Sequence, residues 1–148
     1  MSHKNPIHTL QELAHTRVDD ATRKLGELIA SEQACEEKLR MLLQYRSEYR
    51  ERFVAAARDG IDPNGWRNYS AFLLKLDDAI THQQKIVDHS KTATSVGQQH
   101  WVSERNRAKA FDTLSLRQQQ QQHRREAKQE QHASDEHSAK QHQQQKDE

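Results

Sequence analysis

A chain of 148 residues is short enough for one domain, yet only 32% of it is hydrophobic and its mean hydropathy is −1.19, against about 45–50% apolar residues in an ordinary globule. That deficit leaves disorder or long helices with a narrow apolar seam, and periodicity separates the two. The 23 basic and 22 acidic side chains nearly cancel, which provides no broad basic face for nucleic acid or a membrane surface.

The N-terminal residues, Met1 to Pro6, lack the apolar stretch of a signal peptide. No apolar run approaches the roughly 20 residues of a membrane span, so no direct membrane insertion is expected. Cys35, the single cysteine, has no internal disulfide partner and suits a reducing compartment, so a cytoplasmic protein is expected.

The first element carries a heptad. Alternating steps of four and three from Ile7 reach Ala14, Val18, Ala21, Leu25, Leu28, Cys35, Leu39, Leu42, Tyr49, Phe53 and Ala56, interrupted by Gln11, Glu32 and Arg46. A seam repeating every 3.5 residues demands a helix that supercoils left-handedly on a partner. Asn5 before Pro6 fits a helix start, and Thr9 with Glu12 has the spacing of a capping box. Arg58 to Gly65, with two glycines and a proline, reads as a turn in which Asp62-Pro63 opens the next helix.

The second seam runs through Trp66, Tyr69, Leu73, Leu76, Ile80, Gln83, Val87, Ser90, Thr94, Gly97, Trp101, Glu104, Ala108, Phe111 and Ser115. Two helices joined by a short turn must run antiparallel, and pairing outward sets residues whose numbers sum to about 124 opposite each other. Leu25 and Leu28 then face Trp101 and the side-chain-free Gly97, while Glu32 and Cys35 meet Ser90 and Thr94 in a polar middle. Helix one would be roughly 80 Å long, a rod without a globular core. Past Leu116 the sequence turns to glutamine, histidine and balanced charge, with no large apolar residue. That segment should fray or be helical only in part, and it is no polyanion-binding arm.

The predicted fold is therefore all-α: an antiparallel left-handed coiled-coil hairpin over residues 6–116. Helix one spans about 6–58, the turn 59–65 and helix two 66–116. A Gln/His-rich extension, partly helical or disordered, follows over 117–148.

Chemistry finds little foothold in this pattern. His132, His137 and His142 lie five apart and His82 and His89 seven apart, whereas a helical zinc pair wants a spacing of four. Cys35 on the seam packs as a small apolar group. Gly60 and Gly65 lack the Lys-Ser/Thr of a nucleotide loop. No catalytic residue, cofactor or metal is expected, and the chain is not expected to be an enzyme.

The informative feature is surplus apolar surface beside the seam. Phe72, Ala79, Ile86 and Ala93 occupy flank positions of helix two that should be charged, and Tyr45 holds the equivalent flank of helix one beside Leu42 and Tyr49. Either these side chains widen the intramolecular seam, or they form an exposed patch that a partner grips. Lys38 and Gln83 would form its polar edge.

Certain blocks resemble the flagellar type III export protein family FliJ: Val18-Asp19-Asp20-Ala21, Glu36 to Leu42, Tyr45, and Glu48-Tyr49-Arg50. The turn and restart from Gly60-Ile61 through Asn64-Gly65-Trp66-Arg67-Asn68-Tyr69 to Ala79-Ile80 resemble it too, and the likeness covers roughly residues 7–115. It implies a stalk-like hairpin of the flagellar export ATPase ring that promotes ring assembly, binds the large membrane subunit of the export gate, and escorts export chaperones. It also implies a protein that is monomeric when free and peripheral to the inner membrane at the flagellar base. The family's gate-binding patch maps here to Leu42, Tyr45, Tyr49, Phe72, Leu76 and Ala79, where Lys38 and Gln83 depart from the family's Gln and His. Physics alone suits a generic coiled-coil adaptor equally well, as a homodimer or four-helix bundle. A nucleic-acid- or metal-binding tail ranks last.

Overall fold

The computed structural model describes residues 5–148. Two α-helices account for nearly all of them: α1, Pro6–Asp59, of 54 residues, and α2, Pro63–Asp147, of 85 residues. No strand occurs among the described residues.

Local chemistry sets the helix ends. Asn5 caps α1, its side-chain oxygen accepting the Ile7 N–H at 3.2 Å while Pro6 takes the first helical position. The capping box expected at Thr9 and Glu12 does not start the helix. Thr9 already donates its N–H to the Asn5 carbonyl, and Glu12 lies 3.2 Å from His8 instead. Gly60 stops α1 with a φ of 94°, a left-handed conformation that L side chains rarely adopt. Asp62 then caps α2 by accepting the Gly65 N–H at 2.8 Å, with Pro63 in the first turn. The turn is thus Gly60 to Asp62, shorter than the expected 59–65, because cap and proline begin the second helix at once.

Exposure along α1 follows the expected heptad. Every seam position from Ile7 to Ala56 is buried or half-buried, and every other α1 residue is exposed. On α2 the expected seam is likewise sheltered except at Trp66, and Ser70, Phe72, Asp77, Ile86, Asp112 and Gln118 are partly sheltered as well. The fully buried apolar side chains are few and mostly small: Ala14, Ala21, Leu76, Val87 and Ala108. A larger side chain contributes about 1.5–3 kcal/mol on complete burial, so many half-buried seam positions share the stabilisation.

The chain forms two compact units. One combines the start of α1, through Val18, with α2 from Glu104 onward; the other is Asp19–Ser103. Within each, the α1 and α2 segments lie antiparallel. In the first, Gln11 donates to Asp112 at 2.6 Å and Asn5 to Gln118 at 2.7 Å. In the second, the Trp101 indole donates to Thr22 at 2.9 Å, Thr94 to the Leu28 carbonyl at 3.3 Å, and Arg46 to Asp77 at 2.5 Å. Arg46 therefore interrupts the apolar seam with a cross-helix ion pair. Gly97 faces Leu25 and Leu28 as the pairing predicts. A Cβ there would come within 2.5 Å of Leu28 Cδ1, so the missing side chain is space that leucine uses.

α2 does not end near Leu116. It continues to Asp147, with every residue from 119 onward exposed. The segment expected to be helical only in part lacks Gly and Pro and is rich in Gln, Lys, Arg, Glu and Ala, all good helix formers. His132 and Glu136, 3.4 Å apart at a spacing of four, add a surface pair.

Candidate docking surface

In the unit Asp19–Ser103, α1 presents Tyr45, Tyr49 and Phe53 at successive steps of four, and α2 presents Trp66, Tyr69 and Phe72 at steps of three. Both spacings keep rings on one helix face. Antiparallel packing interleaves them into a continuous ladder. Tyr45 meets Phe72 edge-on at 6.2 Å between ring centres, and Phe72 meets Tyr49 at 4.5 Å. Tyr49 and Phe53 each lie 5.3 Å from Tyr69, and Phe53 lies 4.9 Å from Trp66. These six are most of the eight aromatic residues in the chain. Such pairs add about 0.5–1.5 kcal/mol each beyond the area they bury, so the ladder stiffens the turn-proximal part of this unit.

Burial and the neighbouring phenols of Tyr69 and Tyr45 push the Tyr49 hydroxyl above its ordinary pKa of 10.0. Tyr49 is thus neutral throughout the physiological range.

The six residues of the expected patch divide by exposure. Tyr45 is 43% exposed, and Ala79 is exposed. Leu42, Tyr49 and Phe72 are half-buried, and Leu76 is buried. The surplus apolar flank is therefore partly sheltered and partly exposed. Phe72 and Ile86 widen the seam, whereas Tyr45, Ala79 and Ala93 stay outside it. A shallow groove of about 480 Å³ runs beside Tyr45, lined by Lys38, Met41, Leu42, Gln44 and Glu48. Met41 is 61% exposed there. Nothing in the seam pattern marks it, although a methionine four residues before Tyr45 shares its helix face.

Gln83 does not form a polar edge to this surface. It is 3% exposed and donates to the Cys35 carbonyl at 3.0 Å. It lies on the seam, so its amide turns inward to a backbone acceptor on α1. Lys38 does line the groove. Cys35 itself is a half-buried free thiol.

Among the described residues, no group of three or more His, Cys, Asp or Glu side chains is placed to hold a metal ion. No described helix is long and apolar enough to cross a membrane. What the surface offers chemically is association: aromatic and thioether groups on a rigid base, edged by Lys38 and Glu48.

Comparison with known proteins gives one consistent result. The family described as flagellar FliJ protein matches residues 3–147. Flagellar FliJ proteins of Escherichia coli (strain K12) and Salmonella typhi are each 34% identical over 118 residues, covering 80% of this chain and 80% of theirs. The chain belongs to the flagellar FliJ protein family.

Proposed function

We propose that this chain is a component of the flagellar type III export apparatus, acting as the coiled-coil stalk of the export ATPase. In this reading it promotes assembly of the ATPase ring, binds the large membrane subunit of the export gate, and escorts export chaperones between rounds of delivery. It works in the cytoplasm, peripheral to the inner membrane at the flagellar base, and its action is mechanical and associative rather than catalytic. Residues 5–18 with the facing part of α2 engage the ring, and the surface around Tyr45 engages the gate.

The observation that carries the reading is an aromatic ladder with Tyr45 and Met41 at its open margin, in a chain of the flagellar FliJ family. Tyrosine on a pre-stiffened base loses little conformational entropy on binding, and the flexible thioether of Met41 adapts to a partner's shape. Leu42, Tyr49, Phe72 and Leu76 support that margin from beneath, and Ala79 leaves room beside it.

The test adds the purified chain to the flagellar export ATPase. Increased hexamer formation and hydrolysis are expected, and unchanged values would sink the stalk assignment. For the gate, Tyr45→Ala combined with Met41→Ala should weaken binding of the large subunit by about tenfold or more, since aromatic anchors commonly carry about 2 kcal/mol. Both positions are well exposed, so circular dichroism should register an intact helix pair. Undiminished gate binding by that variant would remove the patch from the account.

A further inference from the structure

The unit that joins the start of α1 to α2 beyond Glu104 has two unlike flanks. On one, Asp112 accepts from Gln11 at 2.6 Å and meets His15 Nε2 at 2.8 Å, closing the groove between the helices. The other flank is reached by stepping back one residue from the seam, to Leu10 and Arg17 on α1 and to Arg107 and Leu114 on α2. Leu13 and Arg117 follow slightly farther round each helix, at the three-residue spacing that keeps neighbours on one face. Leu10, Leu13 and Leu114 are 44%, 47% and 46% exposed. The antiparallel register of the Gln11–Asp112 bond sets Leu10 beside Leu114 and Arg17 beside Arg107.

Within this unit, charge on this flank has one sign; Asp20, three residues after Arg17 in α1, belongs to the other unit. Glu12, Glu104 and Asp112, the carboxylates of the paired part of this unit, lie on the seam or on the opposite flank. Arg17, Arg107 and Arg117 have no ion-pair partner among the described residues. Two guanidinium groups set side by side repel unless an anion comes between them, and their planar donor forks match carboxylates.

We propose that this Leu–Arg flank docks an acidic protein surface, which sets carboxylates against Arg17, Arg107 and Arg117 and apolar side chains against the three leucines. A second copy does not fit, because a two-fold contact through this flank would bring arginine against arginine. Three half-exposed leucines are too little apolar area to anchor the chain on a bilayer. Arginine interleaved with apolar groups is instead the composition of protein interfaces. The inference rests on the ring-assembly reading in one respect, since its probe is the purified flagellar export ATPase.

Two variants of the full chain make the test. Arg17→Glu replaces a like-charge neighbour of Arg107 with an opposite one, so the fold is kept; Leu13→Gln alters an exposed leucine only. Circular dichroism checks both. The unmodified chain should stimulate the ATPase less as salt rises, and each variant should need about tenfold more chain for half-maximal stimulation. Full stimulation by both variants would overturn this inference while leaving the stalk assignment standing. No stimulation by the unmodified chain would overturn the two together. Sedimentation with phosphatidylserine vesicles that Arg17→Glu abolishes, with ATPase stimulation intact, would overturn it in favour of a lipid partner.

Discussion

Replacing Gln83 with leucine should stabilise the protein, against the expectation that removing a buried hydrogen bond weakens a fold. Gln83 is 3% exposed and donates to the Cys35 carbonyl at 3.0 Å. Losing that bond costs about 1 kcal/mol net. The Cys35 carbonyl lies inside α1, where the helix ladder supplies its ordinary acceptor role, so the substitution does not orphan it. Against the loss, leucine at so enclosed a seam position contributes about 1.5–3 kcal/mol of apolar burial, and the amide no longer has to be desolvated. The balance favours Gln83→Leu by about 1–2 kcal/mol, or a rise in Tm of about 2–8 °C for a chain of this length. Thermal and urea unfolding followed by circular dichroism measure it, at several chain concentrations, because a polar seam residue also discourages other registers and extra copies. A fall of more than about 1 kcal/mol would refute the reasoning, and would mean that the amide holds more of the interface than one bond.

Three further outcomes follow from other sites. Hydrogen bonds from Gln11 and then His15 hold the Asp112 carboxyl below its ordinary pKa of 3.8; the associated stability is present above about pH 4 and is lost as pH falls through the lowered value. Asp112 stays partly exposed, so the effect is small, and Asp112→Asn should flatten the acid limb of a pH–stability curve while carboxyl NMR shows the parent titrating low. Tyr49, raised by burial, keeps its proton in the folded state after unfolded chains have lost theirs, so stability should decline as pH rises past about 10. Tyr49→Phe should lessen that decline, and a spectrophotometric titration in which every tyrosine ionises at or below pH 10 would contradict it. Gly97→Leu should cost about 1–3 kcal/mol by overpacking against Leu28 Cδ1, despite leucine's better helix propensity; an unchanged urea midpoint would show that Leu28 can move aside.

Much of the fold was legible because one rule governs it. A 3.5-residue repeat specifies both which side chains are sheltered and that a second helix must shelter them, and α1 obeys it from Ile7 to Ala56 without exception. α2 obeys it less strictly, since Phe72, Ile86 and Asp77 are drawn in beside the seam while Trp66 stays out. Periodicity assigns a face to each residue but not how far a large ring reaches. For the same reason Phe72 and Tyr45 looked equivalent in sequence, yet one is half-buried and the other exposed. Gln83 was misplaced because its two assignments, seam and rim, conflict, and only its bond to the Cys35 carbonyl decides between them. The six-ring ladder was present in the four- and three-residue spacings but required the register to bring the two sets together. The extension was underestimated because amphipathicity, the signal sought, is absent there while intrinsic propensity is high.

Beyond Gln118 every residue of α2 is exposed. Each turn there is held by its own backbone bonds and a few neighbouring charges, with no side chain sheltered on any face. Unsupported helices of that kind sit close to their melting balance in water. Amide protons of the segment should therefore swap with deuterium far sooner than those flanking Val87, and a protease should trim it away without disturbing what lies upstream. Evolution can lengthen, shorten or rewrite such a stretch almost freely, whereas one altered alanine at position 14 or 21 touches the interior directly.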